Sequence, residues 1–199
     1  MSRARRQAVA TSAAPAARAT VALPDPFPMF YGGELRGAQL AYETWGSPSP
    51  TRDNAVLLFT GLSPSAHAAS SPENPTPGWW EAMLGPGKAL DTDRWFVVCF
   101  NSLGSCFGST GPASINPATG ERYALQFPQL AIEDIARSAH AALGALGISR
   151  LAAVIGASLG GMSSLAWIAL FPGAARRLVS ISGTDAASPF AIALRSLQR

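Results

Sequence analysis

Leu151-Ala152-Ala153-Val154-Ile155, then Gly156-Ala157-Ser158-Leu159-Gly160-Gly161, then Met162 to Phe171 (MSSLAWIALF) decide how the rest of the chain is read. The first run is short, apolar and rich in Val, Ile and Leu, which predicts a fully buried strand. From Met162 on, Leu165, Ile168, Ala169 and Phe171 fall near helical spacing, and Pro172 stands just past the end. Between strand and helix, Gly156 to Gly160 fit G-x-S-x-G. A strand that turns at once into a helix around a serine is a nucleophile elbow. The turn drives Ser158 toward positive φ, and side chains two residues away on either side would clash, so Gly156 and Gly160 stand there. Gly161 lets the helix begin close to the sheet. Such a bend lifts the Ser158 hydroxyl above the sheet edge, at the positive end of the helix dipole, where a developing oxyanion is favoured. The plainer alternative is a glycine-rich turn that merely contains a serine.

With 199 residues, 48% of them apolar and only 14% charged, the chain is long enough for one domain with a sizeable core. The first 20 residues hold four arginines and no acid, so the net charge of +3 belongs to them and the body is close to neutral. No basic face is left for nucleic acid. The basic stretch has the composition of a transit peptide but reads first as a disordered tail over residues 1–20; it has no apolar core of a secretion signal. No run reaches the length of a membrane helix. Cys99 in a strand pattern and Cys106 in a loop make no disulfide framework, which fits a reduced, cytoplasmic setting.

Outward from the elbow, Asn54 to Thr60 (NAVLLFT) and Trp95 to Phe100 (WFVVCF) are further buried strands, and Arg176 to Ser182 another. Leu35 to Trp45 alternates loosely and predicts an edge strand. Pro24 to Pro28 is extended, Trp79 to Leu84 a short helix, and Pro189 to Arg199 a final helix. Gln129 to Leu146 is an amphipathic helix with Ile132, Ile135, Ala139, Leu143 and Leu146 on one face, Glu133 and Asp134 in its first turn and Gly147 at its end. Buried strands alternating with helices predict an α/β fold with a mostly parallel sheet and helices on both faces. Ligands of such sheets bind beyond the carboxyl ends of the strands. Ser158, the Thr60-Gly61 turn and the loop from Asn101 all leave from those ends.

An acyl-transfer serine needs two N–H donors for the oxyanion, a histidine base and an acid to orient it. The Leu159 backbone N–H is one expected donor, and Phe59 or Thr60 is placed for the second. The two histidines, His67 and His140, both precede Ser158, whereas this topology orders serine, acid, histidine. His140 falls mid-helix and reads as a surface residue. His67, in the long loop from Leu62 to Pro77, is a candidate for substrate contact rather than for the base. Asp185 follows a strand but reads as a cap. The chain is therefore expected to be the N-terminal part of a longer enzyme whose acid and base lie elsewhere, and by itself to be inactive.

The run from Gly85 to Ile148, with GSTGPASINPATG at its centre, followed by the GASLGGM elbow, resembles the homoserine O-acetyltransferase family. The wording GASLGGMSSLAW and PFAIALRSLQR is most similar to its serine O-succinyltransferase branch. The resemblance runs from about Leu35 to the end and implies an α/β-hydrolase fold, here ending after the strand that follows the nucleophile helix, without the family's helical lid. It implies a ping-pong reaction in which a serine takes an acyl group from acyl-CoA (succinyl-CoA or acetyl-CoA) and passes it to the hydroxyl of L-serine or L-homoserine. By that resemblance Ser158 is the nucleophile and the backbones of Leu159 and Phe59 form the oxyanion hole. Arg199 holds the amino-acid carboxylate, a task suited to a guanidinium fork. Acyl-CoA is a co-substrate, with no bound cofactor and no metal, and the full-length protein is a homodimer. Two other readings stand beside it: an esterase or thioesterase of the same fold, and a non-catalytic binding module.

Overall fold

The computed structural model describes residues 19–197. Ten strands and three α-helices follow in order: β1 (Ala19–Ala22), β2 (Phe27–Pro28), β3 (Glu34–Leu35), β4 (Gln39–Trp45), β5 (Ala55–Phe59), β6 (Leu84–Gly85), β7 (Leu90–Asp91), β8 (Phe96–Phe100), α1 (Ile132–Ala145), β9 (Ala153–Ala157), α2 (Leu159–Leu170), β10 (Leu178–Ile181) and α3 (Pro189–Ser196). Six of the strands form one sheet in the order β1-β4-β8-β5-β9-β10. The four from β8 to β10 run parallel, and β4 and β1 add antiparallel strands on one side.

Every residue of β5 (AVLLF) is buried, as expected of a strand covered on both faces. Its side chains alternate between two cores. Ala55, Leu57 and Phe59 join Val98, Phe100, Val154 and the helix residues Ile135, Ala139, Leu143 and Trp167. Val56 and Leu58 join Val97, Cys99, Ile155 and Trp45 on the opposite face. That second face is covered by Ala66, Ala68, Ala69 and Leu84, with Trp79 and Trp80 packed on them. Helices on both faces are expected, whereas α1 and α2 pack together on the first face and an irregular segment between β5 and β8 covers the second.

Four further differences are local. Leu35 to Trp45 is read as an edge strand, but β4 lies between β1 and β8. Its outer neighbour starts at Ala19, so residues 19 and 20, read as the end of the basic tail, are strand; residues 1–18 lie outside the described ones. Trp79 to Met83 forms turns rather than a helix, and Leu84 opens β6. There the Glu81 carboxylate accepts from the Ser70 and Gly78 amides, at 2.7 and 3.0 Å, and from the Ser70 hydroxyl at 2.9 Å, which folds the segment back on itself. Those bonds, the Ser70 amide first, hold the Glu81 carboxyl down to about 2. The nucleophile helix starts at Leu159, three residues before Met162.

Helix α1 begins on a buried carboxylate. Asp134 Oδ2 accepts from the Ala131 amide at 3.0 Å and Oδ1 from the Phe30 amide at 2.8 Å, with Arg137 Nη1 at 3.7 Å. One side chain therefore closes the helix start and ties it to the loop between β2 and β3. Asp134→Ala would leave the buried Ala131 amide and the part-buried Phe30 amide without that acceptor. It should lower unfolding free energy by about 3 kcal/mol in urea titration, and Asp134→Asn by less, because one acceptor oxygen remains.

Candidate active site

Ser158 joins β9 to α2 at φ 56 and ψ −119. For a residue with a side chain this is a strained backbone conformation, kept only where the surroundings impose it. The surroundings are backbone. A Cβ added at Gly156 would lie 2.1 Å from Gly160 O, and one at Gly160 would lie 2.5 Å from Phe59 O and 2.8 Å from Thr60 O. The Ser158 amide donates to Ile181 O at 2.9 Å, so β10 holds the bend from its other side.

The result is an exposed serine at the carboxyl end of a buried parallel strand. Its hydroxyl forms no cap to the helix. Leu159 is the first residue of α2, so its N–H has no acceptor within the helix and is free for an anion beside Ser158. Two hydroxyls brace this first turn: Ser163 donates to Leu159 O at 3.0 Å and Ser164 to Gly160 O at 2.8 Å.

Phe59 ends β5, opposite Phe100 of β8 and Gly156 of β9, with its ring edge-on to Trp167 at 6.2 Å. Its carbonyl and that of Thr60 face Gly160, so the turn that begins at Phe59 lies directly against the elbow. Thr60 Oγ1 is 3.2 Å from Ser102 Oγ, which brings the loop after β8 to the same place. The three loops expected to converge do so.

The other candidates are committed elsewhere. His67 donates from Nε2 to Thr76 O at 2.7 Å and pairs through Nδ1 with Glu43 Oε2 at 2.7 Å, so both ring nitrogens serve the loop. His140 lies on α1 with its ring stacked on Phe171 at 3.9 Å and 10°. Burial holds its pKa below the ordinary 6.5. Asp185 is exposed beside Thr184, and the hydroxyl that accepts the Ala191 amide at the start of α3 is Ser188. Arg199 lies outside the described residues. Cys99 is buried, and burial together with Glu43 raises its thiol, whereas Cys106 is exposed. Among the described residues no group of three or more His, Cys, Asp or Glu could hold a metal ion, and no helix is long and apolar enough to cross a membrane. Sequence reasoning passed over Asn101 as a side chain; the signal was an amide directly after five buried apolar positions.

The profile of the alpha/beta hydrolase fold family matches residues 54–198. The chain is similar to a serine O-succinyltransferase of Frateuria aurantia, 63% identical over 184 residues, a match covering 92% of this chain and 50% of that protein. It is equally similar to an L-serine/homoserine O-acetyltransferase of Streptomyces lavendulae, 63% identical over 185 residues, covering 93% of this chain and 50% of that one. Among solved structures, esterase E22 superposes with a TM-score of 0.83 at 34% identity, over 90% of this chain and 51% of its own. Homoserine O-acetyltransferase from Bacillus anthracis superposes with a TM-score of 0.80 at 32% identity, over 87% and 48%. The chain spans about half the length of the curated relatives it matches.

Gly156→Ala would drive a methyl into Gly160 O and should destabilise the fold by about 3 kcal/mol or more, read by thermal denaturation; a variant as stable as the parent would contradict the described bend. A pH effect follows from His140. Its depressed pKa means the unfolded chain binds the proton more readily, so its contribution is complete above about 6.5 and is lost as pH falls below that. His140→Phe, which keeps the stack, should show a smaller drop in melting temperature between neutral pH and pH about 5 than the parent.

Proposed function

Since the chain belongs to the alpha/beta hydrolase fold family, we propose that it carries the nucleophile half of an acyl-CoA-dependent O-acyltransferase acting on L-serine or L-homoserine. Succinyl transfer to L-serine is the first reading and acetyl transfer to L-homoserine the second. The observation that carries it is the exposed Ser158 at positive φ, beside the acceptor-free amide of Leu159.

In this reading Ser158 Oγ attacks the thioester carbonyl of acyl-CoA. The tetrahedral oxyanion is met by the Leu159 N–H and by an amide of the turn that begins at Phe59, and collapse expels the CoA thiolate, which takes up a proton. The amino-acid hydroxyl then attacks the acyl-serine ester through a second tetrahedral intermediate, and Ser158 is released. The serine bends up rather than into the core because glycine at 156 and 160 lets backbone meet backbone. A histidine base and its acid are needed for both steps. His67, His140 and Asp185 do not fill those roles, so they belong to parts of the longer protein outside this span, and this span by itself turns over negligibly. Arg199 as carboxylate clamp, a cytoplasmic setting and a homodimer at full length belong to the same reading.

Hydrolysis is the competing chemistry, favoured by the likeness to esterase E22. The two differ only in whether water or the amino-acid hydroxyl attacks the acyl-serine. In the protein expressed at the full length of its gene, succinyl-CoA and L-serine should give O-succinylserine and free CoA thiol. Ser158→Ala should lose about 10³-fold or more of that rate. Free succinate as the main product in excess serine would assign an esterase, and undiminished transfer by Ser158→Ala would remove the serine from the mechanism.

A further inference from the structure

We propose that Asn101 is the positioning residue that fixes the donor turn of Phe59 to Gly61 against Ser158; this rests on the acyl-transfer reading. Asn101 stands at the carboxyl end of β8 and is buried to 1% exposure. All of its polar groups are used. Its Oδ1 accepts from the Ala66 amide at 2.5 Å, and its Nδ2 donates to Phe107 O at 2.7 Å. Its amide donates to Ala41 O at 2.8 Å and its carbonyl accepts from the Ser109 hydroxyl at 2.7 Å.

Ala66 belongs to the loop that leaves β5 through the donor turn, and Phe107 belongs to the glycine-rich loop that leaves β8. The single carboxamide therefore ties together two loops of different strands at the rim where Ser158 emerges. Its neighbour Ser102 repeats the tie one step nearer the site, through Thr60. Beyond Ala66 the loop is held by the pair of His67 with Glu43 on β4, by the Trp45 indole on Ala69 and Ser70, and by Glu81 on Ser70. Between Gly61 and Ala66 no strand or helix holds the chain; side chains do, Asn101 on Ala66, Ser102 on Thr60 and the Trp79 indole on Ser65, and of these Asn101 and Ser102 come from the end of β8 beside the site. A carboxamide is the group this place requires: one face must accept an N–H and the other must donate to a carbonyl. A carboxylate would set two acceptors against each other at Phe107, and alanine would remove both bonds of the strut.

The acyl group touches the donor turn in the transition state far more than in the ground state. Loss of the strut should therefore appear in kcat and not in the KM for the amino acid. The test compares Asn101→Ala, Asn101→Asp and Ser158→Ala in the full-length protein, with succinyl-CoA and L-serine as probes. Both Asn101 variants should lose about 100-fold in kcat at neutral pH with KM changed less than about threefold, as expected for a misplaced donor. For Asn101→Asp the kcat relative to the parent should climb as pH falls, because a protonated carboxyl regains the O–H that donates to Phe107 O. That recovery keeps the test decisive if Asn101→Ala does not fold. Asn101 variants within about twofold of the parent, or an Asn101→Asp ratio flat with pH, would overturn the positioning role while an inactive Ser158→Ala upholds the acyl-transfer reading. An active Ser158→Ala would overturn both.

Discussion

Backbone touches backbone where Gly160 meets the carbonyls of Phe59 and Thr60, with no room for a single added carbon. That contact sets how near the first turn of α2 can come to the end of β5. It also explains the pattern of small residues around it. Gly156, Gly160 and Gly161 leave the helix lying on the strands themselves, and the side chains of α2 that are fully buried are Ser163, Ser164 and Trp167. The two serines return their hydroxyls to the helix's own carbonyls, so burying them leaves no polar group unpaired. Glycine is poor in helices, and the chain uses it at the very start of one because proximity matters more there than propensity.

The proposed chemistry is a consequence of this proximity. A serine in ordinary helical conformation would lie along the helix flank; at φ 56 it stands above the sheet edge, where an acyl group can reach it. The start of the helix and the turn after β5 already lie against each other beside that serine, without any side chain having to move. Each histidine is engaged by a partner of structural kind, Glu43 and Thr76 in one case and the Phe171 ring in the other.

The parts of the fold legible in the sequence are those where burial writes itself into residue type. AVLLF, FVVCF and the strand into Gly156 are apolar because both faces are covered, and the elbow is legible because only glycine tolerates its contacts. Strand β1 was not legible: ATVA is held by backbone pairing with β4 and is mostly exposed, so no hydrophobic alternation marks it, and β4 in consequence looked like an edge. The turns at Trp79 to Met83 were not legible either, because what opposes a helix there is a carboxylate reaching back to Ser70 and Gly78, a tertiary preference invisible in local periodicity. Of the site, the serine at the bend and the helix that opens directly after it could be read from the sequence. Asn101 could not, since its role lies in two backbone groups contributed by distant loops.

The sheet's two coverings are built on different principles. One is a pair of helices, whose many repeating bonds open together or not at all. The other is a ribbon without such repeats, pinned by the indole of Trp45 on Ala69 and Ser70, by Trp79 on Ser65, and by Glu43, Glu81 and Asn101. Breathing of the molecule under heat or denaturant starts in the ribbon, where loosening any one pin frees only its own neighbourhood. Because the ribbon is rooted in the turn beside Ser158, the setting of that serine should loosen while the helical face is still intact: this architecture gives up the bend's surroundings before it loses its shape.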